Sequence, residues 1–455
     1  MEALPLHFNQ IPLEYRDLIV TPLLIMVVYM VAIFVRPYAT DEVTRKYFFP
    51  ALTLKMIGAI ALGIIYQFYY RGGDTYNYHT IGSRIVWQAF ADDFSTGLRL
   101  LFSNGDLIPG AYKYYSRIYF YGDPPSFMII RFATVFDLLT YSTYSATAVF
   151  FSVISFSGSW ALFVTFYKKF PHLHFRIAIA TLFIPSVIFW GSGLLKDTFV
   201  LAALGFAVYS IDKIFNQHRF KTSTVGLLLL SLFVIFSIRK FVLEAFIPSA
   251  VLWVYFKHLV SLRSTVLKIT IVPLIVVAFI LTAYYSVIKI GEGDEKYSVE
   301  KLAATAQVTA YDIAFYTGKN AGSTYSLGKL DGSFSSLFRL APQAINVTLF
   351  RPYLWEVKNP LMFFTALEGL FFLLATFYVL VRGRLFLLKI FSDSNVLFCF
   401  VFSISFAFAV GVSTFNFGTL VRYKIPAMPF YMIGLIIAVD QLKRDRKLSV
   451  FDETE

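Results

Sequence analysis

Stretches of about 17–25 mostly apolar residues recur along this chain, and such a stretch has few fates: it crosses a bilayer as a helix, which satisfies its own backbone there. Roughly eleven are read, near 18–36, 50–69, 143–167, 177–191, 198–214, 223–238, 242–257, 269–289, 360–381, 394–413 and 425–441. They predict an all-α polytopic membrane bundle, with residues 1–455 as a single transmembrane domain. Composition agrees: 57% of residues are hydrophobic and only 15% charged, against roughly a quarter charged in soluble domains. The 51 Phe and 29 Tyr suit helix ends lying in an aromatic belt at the headgroups. Before the first run, MEALPLHFNQIPLEYRD is polar and slightly acidic with no cleavage-site pattern, so that run is expected to stay as an anchor.

Charge then orients the bundle. Arg36/Arg45/Lys46, Lys168/Lys169/Arg176, Lys213/Arg219/Lys221, Lys257/Arg263/Lys268, Arg382/Arg384/Lys389 and Lys443/Arg444/Arg446/Lys447 fall on one side if helices alternate. The positive-inside rule makes that side cytoplasmic, the N-terminus outside and the C-terminus inside. The formal charge of +12 is therefore read as topology and attraction to anionic lipid or phosphate. The cations do not form the continuous stripe of a nucleic-acid binder. The single cysteine, Cys399, excludes an intrachain disulfide and a thiolate metal cluster.

Two long excursions occupy the other face. The first, 70–142, contains YHTIGSRIVWQAFADDFSTGLRLLF and SFMIIRFATVFDLL, whose apolar spacing predicts helices lying in the membrane interface. The second, 290–359, is rich in Gly, Ser, Lys and Tyr and reads as a loop able to serve as a lid.

Five charged clusters on the outer face are not explained by the charge rule. Gly72-Gly73-Asp74 ends the second span, with Tyr76, Tyr78 and His79 following. A carboxylate at a membrane boundary is costly without a partner, though a glycine cap and an Asx-type turn would also account for it. Lys196 and Asp197 open a helix after Trp190-Gly191-Ser192-Gly193, which suits a phosphate or, more plainly, a lysine–aspartate pair holding a turn. Arg239 and Lys240 stand against the charge rule, with Glu244 one helical turn beyond Lys240. Arg351 and Trp355 offer a cation and an aromatic surface ahead of a helix carrying Glu368 in an apolar run. Arg422 lies shortly before Pro426, where the last span starts, and reads as a phosphate ligand or a snorkelling anchor.

Cations that hold a phosphate, a carboxylate that takes a proton from a hydroxyl, and aromatic rings that stack on sugars together suit a lipid-linked anionic substrate. Gly73-Asp74-Thr75-Tyr76-Asn77-Tyr78 resembles the Gly-x-Asp-x-x-x-Tyr signature after an early helix in exopolysaccharide polymerases, and also the acidic first outer loop of GT-C glycosyltransferases. Ser-Gly-Leu-Leu-Lys196-Asp197 and Ile-Arg239 are similar to outer loops of the polymerase group. The segment Asn-x-Gly-x-x-x-Arg422-Tyr423-x-x-Pro426 is similar to late segments of both.

The resemblance implies a hexosyltransferase-type enzyme of the bacterial inner membrane, O-antigen polymerase-like, with its active face extracytoplasmic. It would move a sugar from a polyprenyl-(pyro)phosphate donor to a glycan or lipid hydroxyl. Asp74 and Glu368 are the expected catalytic carboxylates. Lys196, Asp197, Arg239, Lys240, Glu244, Arg351, Trp355, Arg422, Tyr76, Tyr78 and His79 are the expected substrate ligands. No cofactor is required, and a divalent cation at Asp74 is compatible with the chemistry. Membrane lipids are expected partners and nucleic acid is not. The competing reading is a transporter or flippase of lipid-linked sugars or a small solute, which would place substrate groups near the midplane on broken helices. A scaffold subunit is a third and would need no outer charge cluster.

Overall fold

The structure is a computed structural model that describes residues 13–260, 325, 327, 334–383 and 390–452, without the side chains of 258–260, 334–338 and 445–452. Every regular element among them is helical. In order they are α1 (Asp17–Ala39), α2 (Arg45–Phe68), α3 (Asp74–Tyr78), α4 (Arg84–Asp92), α5 (Phe94–Leu101), α6 (Tyr112–Tyr115), α7 (Pro124–Thr140), α8 (Tyr144–Lys169), α9 (His174–Leu182), α10 (Pro185–Trp190) and α11 (Lys196–Ile211). Then come α12 (Thr222–Ile238), α13 (Lys240–Val260), α14 (Phe334–Phe350), α15 (Pro360–Gly383), α16 (Ser394–Ser413), α17 (Phe417–Tyr423) and α18 (Met428–Asp452).

The expected count of eleven spans is not reproduced among the described residues. Six helices are long and apolar enough to cross a bilayer: α1, α2, α8, α11 with its continuation to Asn216, α15 and α16. A seventh arises if α17 and the apolar part of α18, bent by 65° at a short break, count as one. The run at 177–191 is split into α9 and α10, because Pro185 disfavours helical backbone in the residue before it. The run at 223–238 is present as the 17-residue α12, and α13 covers 242–257. The run at 269–289, and 290–333 of the second excursion apart from Tyr325 and Leu327, lie outside the described residues. The first excursion forms short helices, α3 to α7.

Met1–Trp160, Val187–Ala203 and Ser237–Arg239 form one compact unit. Within it α8 and α11 approach so closely that a Cβ on Gly158 would collide with the Ala202 backbone. Small residues allow such contacts where lipid gives no hydrophobic drive between helices. In contrast α1 exposes Leu18, Ile19, Met30 and Phe34, the pattern of a helix facing lipid.

Ala161–Ser186, Leu204–Phe236 and Lys240–Glu455 form the other unit. Its core is a phenylalanine ladder on α16: Phe398, Phe402 and Phe406 recur every fourth residue, share one face and are fully buried. Trp253 stacks on Phe398 with ring centroids 4.6 Å apart, and Phe430 meets Phe402 edge-on at 4.8 Å. A cation assigned to the cytoplasmic side by sequence meets a buried acid here. Lys169 Nζ is 2.5 Å from Asp212 Oδ1, while the Asn216 and Gln217 amides also donate to the Asp212 carboxylate.

Candidate functional site

In the first unit Asp74 stands on a rigid mount. After α2 ends, Gly72 and Gly73 take φ of 134° and 123°, where side chains are strained. A Cβ on Gly73 would also lie 2.8 Å from the Tyr66 ring. Asp74 follows as the first residue of α3 and is half-buried. The residues behind it are pinned. Thr75 Oγ1 and the Tyr144 hydroxyl are 2.6 Å apart, Tyr76 donates to the Gly63 carbonyl at 2.8 Å, and Tyr78 stacks on Phe120 with centroids 5.1 Å apart. Burial, then the nearby Tyr144 and Asp17, push the Tyr76 phenol far above its ordinary range, so it stays a donor.

Among the expected ligands, Tyr76 and Tyr78 are only 4% exposed and His79 is fully buried, and the contacts of all three are with surrounding side chains and backbone. His79 instead leads to a group that sequence reasoning missed. Asp137 of α7, itself fully buried, accepts from Ser83 Oγ and Thr147 Oγ1 at 2.6 Å each and from Ser142 Oγ at 3.4 Å. His79 Nε2 lies 3.4 Å from Asp137 Oδ1, and the imidazole meets the Tyr144 ring edge-on. Asp137 therefore ties α7, α8 and the π-helical turn His79–Ser83 together behind Asp74.

The same unit holds the start of α11. Arg239 Nη2 lies 2.9 Å from Asp197 Oδ1 and 3.1 Å from Oδ2, with both side chains more than nine-tenths buried. The partner that sequence did not supply for Arg239 is thus Asp197. Lys196 Nζ is 3.5 Å from Asp123 Oδ2 and keeps some exposure. The turn ahead of them, Gly191-Ser192-Gly193, is held from below by Lys55. Its ammonium is buried and donates to Ser155 Oγ, the Val187 carbonyl and the Gly191 carbonyl at 3.0, 3.0 and 3.1 Å.

The second unit holds the other expected residues. Glu368 accepts from Ser186 Oγ at 2.6 Å and from the Ser186 amide at 3.1 Å, capping backbone at the start of α10. The arrangement thus gives Glu368 a structural task that the sequence did not assign. Lys424, at the break between α17 and α18, is fully buried, and its Nζ has no hydrogen-bond partner among the described residues. Arg351 is clamped by Glu356, with Nε 3.0 Å from Oε2. The rings of Tyr325, Tyr353 and Phe417 lie 5.3 to 5.9 Å from its guanidinium. Burial raises the Glu356 carboxyl, but hydrogen bonds from Arg351 and the Tyr353 amide outweigh it and hold the group below the usual range. Trp355 is 82% exposed and stacks on Tyr353. Arg422 sits over Tyr423, and Lys240 over Phe236. Glu244 is half-buried, and its Oε1 has no hydrogen-bond partner among the described residues.

Among the described residues no three His, Cys, Asp or Glu side chains are grouped to hold a metal ion. A divalent cation at Asp74 would draw its further ligands from substrate oxygens and water.

No protein-family model matches this chain, and no curated protein and no solved structure is significantly similar to it.

Proposed function

We propose that this membrane protein transfers a sugar from a polyprenyl-(pyro)phosphate donor to a hydroxyl acceptor at the extracytoplasmic face of a bacterial inner membrane, with Asp74 as general base. The acceptor oxygen forms a bond to the anomeric carbon, the bond from that carbon to the phosphate oxygen breaks, and the polyprenyl (pyro)phosphate leaves. Asp74 takes the acceptor proton. The observation that carries this reading is the mounting of Asp74. A half-exposed carboxylate stands beside two glycines, while the four residues after it in the chain, Thr75, Tyr76, Asn77 and Tyr78, include three that are buried and pinned. A carboxylate held this way is pre-organised for proton transfer. Lys196, which keeps some exposure at the start of α11, supplies the cation for the donor phosphate.

Transport of a lipid-linked sugar or small solute is the second reading, and one observation favours it: Lys424, buried and without a hydrogen-bond partner among the described residues, lies at a broken helix, where transporters bind anionic groups. The test is the length distribution of surface polysaccharide in source cells carrying wild type, Asp74→Asn or Lys424→Met at matched membrane levels. Collapse of the ladder with Asp74→Asn supports transfer. A normal ladder with Asp74→Asn and loss of surface glycan with Lys424→Met supports transport.

A further inference from the structure

The second unit contains a cavity of about 450 Å³ that the outer-face chemistry does not use, walled by His172, Phe175 and Arg176 around the start of α9 and by Asp440, Lys443 and Arg444 near the end of α18. We propose that it binds a phosphate ester, as the headgroup of an anionic phospholipid or as a soluble phosphate.

Charge is the first ground. Arg176, Lys443 and Arg444 are permanent cations, and Asp440 is the single carboxylate among the lining residues, so the wall carries a net charge of +2 with His172 neutral. All three cations are exposed. Arg176 and Lys443 make no hydrogen bond or ion pair with the described residues, which leaves both available to a ligand.

The hydrogen-bond arithmetic of the remaining three residues is the second. Asp440 Oδ2 lies 2.9 Å from His172 Nε2 and 3.0 Å from Arg444 Nε, while Arg444 Nη2 lies 2.6 Å from that same His172 Nε2. One ring nitrogen cannot donate to the carboxylate and accept from the guanidinium together. With the proton on Nε2, Arg444 Nη2 has no acceptor at His172, and its N–H groups face the open cavity where an added acceptor can take them. Phosphate supplies several acceptor oxygens and matches a guanidinium fork.

The apolar side is the third. Phe175 is 59% exposed beside the cations, which suits a headgroup that continues into an acyl chain. Its walls come from two of the cationic segments that the charge rule assigns to the cytoplasm, those of Lys168–Arg176 and Lys443–Lys447. There an anionic leaflet concentrates such lipids.

The test uses full-length protein and a matched control. Arg176→Gln/Lys443→Gln removes two exposed cations from the cavity. Arg219→Gln/Lys221→Gln removes two exposed cations of the same sequence-assigned side outside its lining. Phosphatidylglycerol bound after extraction from bilayers of equal phosphatidylglycerol and phosphatidylcholine is counted by native mass spectrometry, and thermal stabilisation by inorganic phosphate is measured against chloride at equal ionic strength. Two cations lost near a surface correspond to roughly thirty-fold weaker binding. Loss of phosphatidylglycerol in the cavity variant alone identifies a lipid headgroup. Loss of phosphate stabilisation in that variant alone, with lipid unchanged, identifies a soluble phosphate. Equal losses in both variants, or none in either, overturn the proposal and leave only general surface electrostatics.

Discussion

Replacing Asp137 by leucine removes the acceptor on which three hydroxyls and an imidazole converge. Ser83 and Thr147 each lose a 2.6 Å hydrogen bond to a carboxylate, and such bonds contribute about 1.5–3 kcal/mol each. Removing a buried charge also relieves its desolvation, which offsets part of that loss, so the net cost is taken as about 3–5 kcal/mol. At roughly 2 °C per kcal/mol for a large unit, the melting midpoint falls by on the order of 5–10 °C. Asp137→Asn keeps the shape and one acceptor, and its amide can donate to a hydroxyl that rotates, so it costs only about 1 kcal/mol. Thermal unfolding of the detergent-solubilised protein, followed by size exclusion after heating, gives both values. Leucine and asparagine variants that melt together, or a leucine variant as stable as wild type, would refute the argument that Asp137 organises this region.

Lys55→Met is tolerated to within about 1.5 kcal/mol, because the Val187 carbonyl keeps its bond from the Gly191 amide and the Gly191 carbonyl keeps Ser155 Oγ. Lys55→Glu turns a carboxylate toward those carbonyl oxygens and blocks accumulation in the membrane; equal yields of the two variants would contradict this. Gly158→Ala forces α8 and α11 apart against the Ala202 backbone and costs about 1–3 kcal/mol, read as a lower melting midpoint than for alanine at exposed Gly226. The folded-state pKa of Glu356 is depressed, so the clamp on Arg351 stabilises above the unfolded carboxylate range and is lost as pH falls through the folded value. The gap in melting midpoint between wild type and Glu356→Gln therefore narrows on acidification; a constant gap would exclude the clamp as its source.

Much of the architecture is legible in sequence because membrane helices declare themselves locally. Runs read at 18–36, 143–167 and 394–413 correspond to α1, α8 and α16 within a few residues at each end, whereas 177–191, read as one span, divides into α9 and α10 at Pro185. The polar framework is not legible, because its partners lie far apart in the chain. Arg239 looks unpartnered until folding brings Asp197, 42 residues away, against it. Glu368 meets Ser186 across 182 residues. Asp137 reads as a polar residue in an amphipathic helix, with nothing local to mark it as the centre of a network. Tyr76, Tyr78 and His79 read as ligands because they follow Asp74, and the sequence does not show that folding buries all three while Asp74 stays half-buried.

The most direct measurement of the central claim is the release of polyprenyl pyrophosphate in proteoliposomes given the polyprenyl-pyrophosphate-linked sugars of the source cell, comparing wild type with Asp74→Asn at equal folded protein. The account predicts release coupled to glycan formation in wild type and a fall of roughly 10²–10⁴-fold in the variant. Release unchanged by Asp74→Asn, or movement of intact lipid-linked sugar across the bilayer without release, would contradict it.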